Sequence, residues 1–295
     1  MTLSGQIGGA AMVAVIMALS ACLLCPGADD LRRRLANRRC DDTAPYNDGS
    51  VVAAGWRSVS QVFSVEPVAR MHSPFGEKFG VPRQSGLVAS VEGQVELLAP
   101  YDDPAMLEGL RGFSHIWLTF IFDRCVGAGW RPKVRPPRLG GNAEVGVWAS
   151  RSPFRPNSIG LSAVRLLEVV EYPRPSLRVA GIDLIDGTPI IDIRPYVPYA
   201  DALPDATGGF AAEPPASQLQ VRFSPRAEHD LAAFEDPAQM RCVISDVLAL
   251  DPRPAYRQGA EPERIYGMLL AQHNIRWRVT PSGIEVVDCE PAADH

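Results

Sequence analysis

His115-Ile-Trp-Leu-Thr-Phe-Ile-Phe122 is dense in β-formers, and Ile116, Leu118 and Phe120 alternate onto one face. That pattern predicts a strand buried on one side. Similar stretches surround it. Phe63-Ser-Val-Glu-Pro-Val-Ala-Arg70 alternates and suits a first strand, and Gly146-Val-Trp-Ala-Ser150 and Ile159–Leu167 supply two more. Leu177 to Asp186 reads as a strand ending at the turn Asp186-Gly-Thr-Pro189. Ile190 to Tyr196 alternates again, with Pro195 ending its pairing or lying at an edge because it has no N–H. Only Asp103–Leu110 looks helical, and briefly. Short strands with Gly/Pro turns and few crossover helices predict a mainly β protein built on a small antiparallel barrel.

Beyond this block, Ala200–Ser217 is rich in Ala, Pro, Asp and Gly and reads as a linker. A smaller α+β module follows. Ala227–Phe234 and Pro237–Leu250 should be helices, the second capped by Asp236 with Met240, Val243 and Val247 on one face. Ile265–Ala271, Ile275–Thr280 and Ile284–Asp288 should be strands. In the middle one, Ile275, Trp277 and Val279 face one side while Arg276 and Arg278 present two positive charges on the other. The expected organisation is an extension (1–60), a barrel (61–200), a linker (201–217) and a C-terminal module (218–290).

The first sixty residues stand apart. Ile7–Leu24 is almost unbroken small and apolar sequence, and Leu19-Ser-Ala-Cys22 resembles a lipoprotein box. No Lys or Arg precedes it, as a secretory signal would need. The positive run follows instead, at Arg32, Arg33, Arg34, Arg38 and Arg39, which would suit an anchor with its C-terminal side in the cytoplasm. Residues 41–55 turn polar and read as a linker. An anchor, a lipoprotein signal and an extension upstream of the true start compete. The extension fits best, because everything interpretable begins near Phe63.

The 295 residues are 46% hydrophobic and 21% charged, ordinary for a chain that buries a core. A net charge of −5 argues against a protein that coats nucleic acid indiscriminately. Charge is segregated, however. Arg111–Asn157 holds seven arginines and Lys133 against Asp123 and Glu144, a local net of +6. An anion would bind there. The six cysteines form no regular framework, and Cys22-Leu-Leu-Cys25 lacks a partner set for zinc, so no metal is expected and reduced thiols in a cytoplasmic protein are the plain reading. No GxGxxG opens a helix and no GxxxxGK[ST] occurs, which excludes the usual Rossmann and P-loop cradles.

Several long motifs occur in order: Phe79-Gly-Val-Pro-Arg-Gln-Ser-Gly-Leu87, Gly112-Phe-Ser-His-Ile-Trp117, Val134-Arg-Pro-Pro-Arg-Leu-Gly-Gly-Asn142, Arg151-Ser-Pro-Phe-Arg-Pro-Asn157 with Ile159-Gly-Leu161, and Asp183-Leu-Ile-Asp-Gly-Thr-Pro189. Asp251-Pro-Arg-Pro-Ala-Tyr-Arg257 and Asn274-Ile-Arg-Trp-Arg278 follow in the C-terminal module. With these, Phe63–Val287 resembles the tRNA threonylcarbamoyladenosine N6-methyltransferase (TsaA-like) family. The resemblance implies a barrel that binds S-adenosylmethionine, a homodimer with the cofactor near the subunit interface, and methyl transfer to N6 of threonylcarbamoyladenosine at position 37, beside the anticodon.

The resemblance puts the cofactor at Pro82, Arg83 and Gln84, at Asp123 and Arg124, at Arg151 and Leu161, and along Asp183, Leu184, Ile185 and Asp186. Asp123 stands where the family usually has a histidine, which weakens a His-based role there. The chemistry suits: Arg83 offers a fork for a carboxylate and Gln84 an amide for a base edge or ribose. The acceptor N6 must lose its proton, and Asp183 or Asp186 could take it. Arg135, Arg138, Arg155, Arg253 and Arg257 are the candidates for tRNA contact. Blander readings compete with these. His115 is better explained as a hydrogen-bonded structural histidine, and Trp117, Trp148 and Trp277 as core rather than stacking platforms. Of the two arginines four apart, Arg151 is expected to serve the cofactor and Arg155 the RNA or the turn itself. A barrel that binds RNA or cofactor without turnover, possibly tethered to a membrane, is the alternative to an enzyme. Methylation of a small molecule is disfavoured by the basic middle and the C-terminal module.

Overall fold

The computed structural model describes residues 62–215, 219–253 and 264–292. The apolar N-terminal segment, its CxxC and the polar stretch 41–55 lie outside the described residues, as do 216–218 of the linker and Arg257.

Six strands close into a barrel in the order β1-β2-β7-β6-β3-β8, every neighbour antiparallel. They are β1 (Ala69–His72), β2 (Glu92–Leu97), β3 (His115–Ile121), β6 (Ile159–Val170), β7 (Ser176–Ala180) and β8 (Pro189–Pro195). The pattern of β3 works as read: Ile116 and Leu118 are fully buried and Phe120 nearly so. They meet Met71, Val95, Val164, Leu177, Val179 and Ile190 from the other strands inside the barrel. Closure removes sheet edges, and the alternation along each strand fills the interior with side chains. Gly160 lies opposite Phe120, and a Cβ there would sit 2.3 Å from its ring, so only glycine lets that ring pack across the strand pair.

Several expected strands come out differently. The first begins only at Ala69, leaving Phe63 and Val65 exposed, since Pro67 has no N–H to give a ladder. Between Gly146 and Ser150 only Val145–Gly146 (β5) is extended, paired with Lys133–Val134 (β4), and Val147–Ala149 is a 3₁₀ turn. The stretch expected to run to Asp186 stops at Ala180, because Gly181 adopts φ 73° and turns the chain out of the ladder. Asp103–Leu110 forms a 3₁₀ turn at Pro104–Leu107. Sequence reading missed β2, which joins β1 to β7. Its interior face offers only Val95 and Leu97 as fully apolar positions.

After helical turns α1 (Asp123–Val126) and α2 (Pro198–Asp201), the C-terminal part holds two longer helices, α3 (Pro225–Leu231) and α4 (Pro237–Ala249). Ser224 and Asp236 cap them, each accepting from a backbone amide in the first turn. They accompany a sheet in the order β10-β11-β12-β9, of β9 (Val221–Phe223), β10 (Ile265–Leu270), β11 (His273–Thr280) and β12 (Gly283–Pro291). β9 pairs parallel to β12; the other contacts are antiparallel. Val243, Ile244, Val247 and Leu248 of α4 bury with Met268, Ile275 and Trp277, and this core runs continuously into that of the barrel through Phe75. Phe75 also bridges to Leu270. Among the described residues no helix is long and apolar enough to cross a membrane.

Candidate functional site

The loop from Gly181 to Thr188, between β7 and β8, organises the site. Gly181 donates its N–H to the Val91 carbonyl at 2.8 Å and accepts from the Gly86 N–H at 2.8 Å. A Cβ on Gly181 would come within 3.3 Å of Gly86 Cα, so the close approach of the two segments needs a glycine there. The Pro82–Gln84 turn is thereby docked beside the Asp183–Asp186 loop. Ser162, buried on β6, donates from Oγ to Asp183 Oδ1 at 2.7 Å. Burial pushes the half-buried Asp183 carboxyl above the usual carboxylate range. The Ser162 bond, the backbone amides of Asp183 itself and Ser85, and the positive Arg151 act in the opposite direction.

Asp186 differs. Its carboxylate is exposed and accepts the Ser73 N–H at 3.0 Å. Ser73 Oγ donates to the Leu184 carbonyl at 2.8 Å and accepts from Phe75 N–H at 3.1 Å, so one serine clamps the loop at two points. The Asp186 N–H bonds the Phe75 carbonyl at 2.8 Å. Arg124 bridges the Gly76 and Asp186 carbonyls at 3.0 and 3.2 Å. His72 stands between two carboxylates, with Nε2 2.7 Å from Glu96 and Nδ1 3.9 Å from Asp186. The His72 bond holds the Glu96 carboxyl below its ordinary value. An open cavity of about 420 Å³ lies here, lined by His72, Ser73, Gln94, Arg178 and Asp186 among others.

On the facing turn Pro82 is buried, Arg83 exposed and Gln84 half-buried. Gln84 Nε2 donates to the Arg83 carbonyl at 2.6 Å, and its Oε1 accepts from Arg151 at 2.5 Å. Sequence-predicted residues 67 positions apart are thus joined directly. Leu161 is 54% exposed on the outside of the barrel, while Leu184 is buried and Ile185 half-buried in the loop. Asp123 is exposed at the start of α1, and it is Arg124 that reaches the loop.

The residues fit the cofactor. S-adenosylmethionine brings a carboxylate, an ammonium and a ribose–adenine half. Arg83 is exposed, Arg151 spends one of its five N–H donors on Gln84, and Asp183 and Asp186 supply acceptors.

The candidate RNA contacts separate on burial. Arg135 is exposed and paired with Glu144 at 3.0 Å, and Arg138 is exposed. Half-buried Arg155 donates to the Ser150 carbonyl at 3.3 Å and lies 5.8 Å from the Trp148 ring. Arg253 corrects an expectation. It is 6% exposed and forks onto buried Asp251 at 2.7 and 2.8 Å, so its charge is spent inside the protein. Arg276 and Arg278 do not present free charges either, being paired with Asp288 and Glu290, and with Glu285. Trp277 is core, stacked on Tyr266, and Trp117 is half-buried against Tyr196. Trp148, expected in the core, is 74% exposed. His115 is hydrogen-bonded to Ser114 Oγ at 2.9 Å.

Among the described residues no group of three or more His, Cys, Asp or Glu could hold a metal ion. Burial, with Asp230 and Asp288 nearby, pushes the Cys289 thiol up to about 12, which leaves it unreactive.

Ser162 and Ser73 were missed by sequence reading. Ser162 carried a signal: alternation puts it on the inward face with Gly160 and Val164, where a lone hydroxyl needs a partner. Ser73 carried none, because a serine before proline in a turn is ordinary.

Residues 70–202 match the family model of the tRNA-methyltransferase O N-terminal domain, and residues 216–292 that of the TrmO C-terminal domain. The tRNA (adenine(37)-N6)-methyltransferase of Escherichia coli is 48% identical over 231 residues, covering 78% of this chain and 98% of that protein. Its namesake from Eikenella corrodens is 43% identical over 182 residues, 62% of this chain and 99% of the relative. The crystal structure of TrmO from Pseudomonas aeruginosa matches with a TM-score of 0.64 at 38% identity, covering 78% of this chain and 98% of the other. With both domain models matched in order along a barrel and its C-terminal sheet, the chain belongs to the tRNA-methyltransferase O family.

Proposed function

We propose that this protein is an S-adenosylmethionine-dependent tRNA methyltransferase that acts on N6 of adenine 37, and that the adenine it takes already carries the threonylcarbamoyl group. The activity rests on the relatives, above all the E. coli enzyme covered almost end to end. The observation that carries it is the convergence of Gln84–Arg151, Ser162–Asp183 and Arg124–Asp186, three links between distant segments, around one loop.

The bound cofactor supplies an electrophilic methyl on a sulfonium. Everything else falls to the chain's residues. Arg151 and Gln84, locked to each other, present donors and acceptors to the polar ends of the cofactor. The clamped Gly181–Thr188 loop fixes the approach line, and alignment supplies much of the acceleration in an in-line displacement. The urea-like N6 is a poor nucleophile while protonated, so a carboxylate of this loop accepts its proton during transfer.

The working form is a homodimer in this reading. Support comes from apolar residues facing outward at the start of β6, Leu161 at 54% and Ile159 at 36% exposed. Leu161→Glu should shift the protein to monomer in sedimentation and weaken cofactor binding with it. A tRNA substrate implies work in the cytoplasm.

Nucleoside mass spectrometry on tRNA from cells with and without the gene tests the function. Loss of the N6-methylated threonylcarbamoyladenosine peak is expected, and an unchanged peak would refute the assignment.

A further inference from the structure

In the largely solvent-facing segment from Arg131 to Arg155, the turn Val147–Ser150 is pinned by hydrogen bonds on both sides. Val147, 3% exposed, anchors its turn, and its N–H reaches the Pro132 carbonyl at 3.0 Å. Ser150 closes the 3₁₀ turn through N–H and Oγ, both onto the Val147 carbonyl at 3.2 and 2.9 Å. Arg155 ties the far side to the Ser150 carbonyl. From this fixed turn Trp148 projects with 74% of its surface in water.

An indole so exposed contributes little to folding, since the stabilisation from an aromatic comes from the area it buries. Its surroundings are cationic. The Arg155 guanidinium lies 5.8 Å from the Trp148 ring, and Arg131 lies 4.5 Å from the Phe154 ring. Lys133, Arg135 and Arg138 are exposed in the same segment, with Glu144 taking up part of that charge. Trp130, 56% exposed, adds a second aromatic. Exposed aromatics among arginines form the surface that single-stranded nucleic acid uses, with phosphates on the cations and bases on the rings. Six cations against Glu144 give this segment a net of +5 on a chain of −5, which decides between occupants: a second copy of an acidic protein is a poorer match than RNA.

We propose that Trp148 is a stacking platform for an unpaired base of the tRNA substrate. The ring would be held in orientation by its turn and backed by Arg155. This rests on the tRNA reading above and adds to it a residue that grips the loop. Stacking of one base changes affinity by about 5- to 160-fold.

The test is tRNA binding by fluorescence anisotropy, with cofactor affinity measured in parallel by calorimetry. Trp148→Ala should raise the tRNA Kd about 5-fold or more, Trp148→Phe should restore it to within about threefold, and Trp148→Leu should not. The Kd for S-adenosylmethionine should stay unchanged throughout. An unchanged tRNA Kd in Trp148→Ala overturns the proposal. Full rescue by leucine also overturns it, since packing rather than stacking would then be at work. A shift of Trp148→Ala from dimer to monomer in sedimentation would assign the surface to a second copy instead. If the wild-type protein binds tRNA without methylating it, the catalytic reading fails while the stacking proposal stands on its own Kd values; if it binds no tRNA, both fall.

Discussion

Removing the hydroxyl of Ser162 tests the electrostatics of the site most directly. Ser162 is 3% exposed and donates at 2.7 Å to the half-buried Asp183 carboxylate. Ser162→Ala leaves a small cavity and a carboxylate short of one donor, and a hydrogen bond to a charged group contributes about 1.5–3 kcal/mol. In a unit of this size that lowers Tm by roughly 3–12 °C. Burial already raises the Asp183 carboxyl, so the fold retains its proton at pH values where the unfolded chain has lost it. This group's contribution to stability therefore falls as pH rises through the window between the unfolded and folded values. Loss of Ser162 removes the strongest influence opposing the rise, and extends the window upward. The difference in stability between wild type and Ser162→Ala should accordingly be small in acid and grow to its full size at neutral pH. Urea titrations at a series of pH values measure it, and calorimetry should show cofactor affinity falling off at a higher pH in the variant. A difference that is the same at every pH would refute this account of Asp183.

The paired arginines make separate predictions: Arg151→Ala should weaken S-adenosylmethionine binding about tenfold, the loss of one charge-assisted contact, as read by calorimetry. Arg155→Ala should leave that affinity intact and weaken tRNA binding or lower Tm, because the guanidinium ties the Trp148 turn. Arg253→Ala strands the buried Asp251 carboxylate and should cost about 3–5 kcal/mol in chemical denaturation, with cofactor affinity unchanged. Gly160→Ala drives a methyl into the Phe120 ring and should destabilise by about 1–3 kcal/mol.

Where strand alternation carries a full apolar face, the fold is legible in the sequence. β3 reads plainly because Ile116, Leu118 and Phe120 must share one side, and α4 because Asp236 caps an apolar stripe. What fails is local pattern overruled by tertiary bonds. Val147 and Trp148 are β-formers, yet Val147 donates to Pro132 and the chain turns. Ile182, Leu184 and Ile185 look like strand, yet Gly181 at φ 73° has already left the ladder. Charge suffers likewise: the basic residues are visible in the sequence, but their partners are not. Arg253 and Arg276 looked like free cations until Asp251 and Asp288 came alongside. The Pro82–Gln84 turn was singled out through motif resemblance, and spacing alone would not have joined Gln84 to Arg151.

Two carboxylates three residues apart end with different work, and their surroundings decide which. Asp183 is half-buried, with its oxygens engaged by Ser162 and backbone amides. Its raised pKa would suit a base, but a base also needs a free lone pair aimed at the proton it takes, and geometry comes before basicity. Asp186 accepts from Ser73 on one oxygen and keeps its carboxylate half in solvent, beside the cavity. In the proposed reaction Asp186 is therefore the better-placed base, and Asp183 the carboxylate that holds its loop to β6 through Ser162. Asp186→Asn should cut kcat about 10²- to 10⁴-fold, the range expected for one general base, while S-adenosylmethionine binding falls far less because the amide oxygen keeps an acceptor. Asp183→Asn should instead weaken cofactor binding, because its new amide N–H₂ meets the N–H donors that held the carboxylate. Single-turnover methylation alongside calorimetry separates the two. A variant pair with these effects interchanged would assign the proton to Asp183, and the Ser162 bond would then be tuning the base itself.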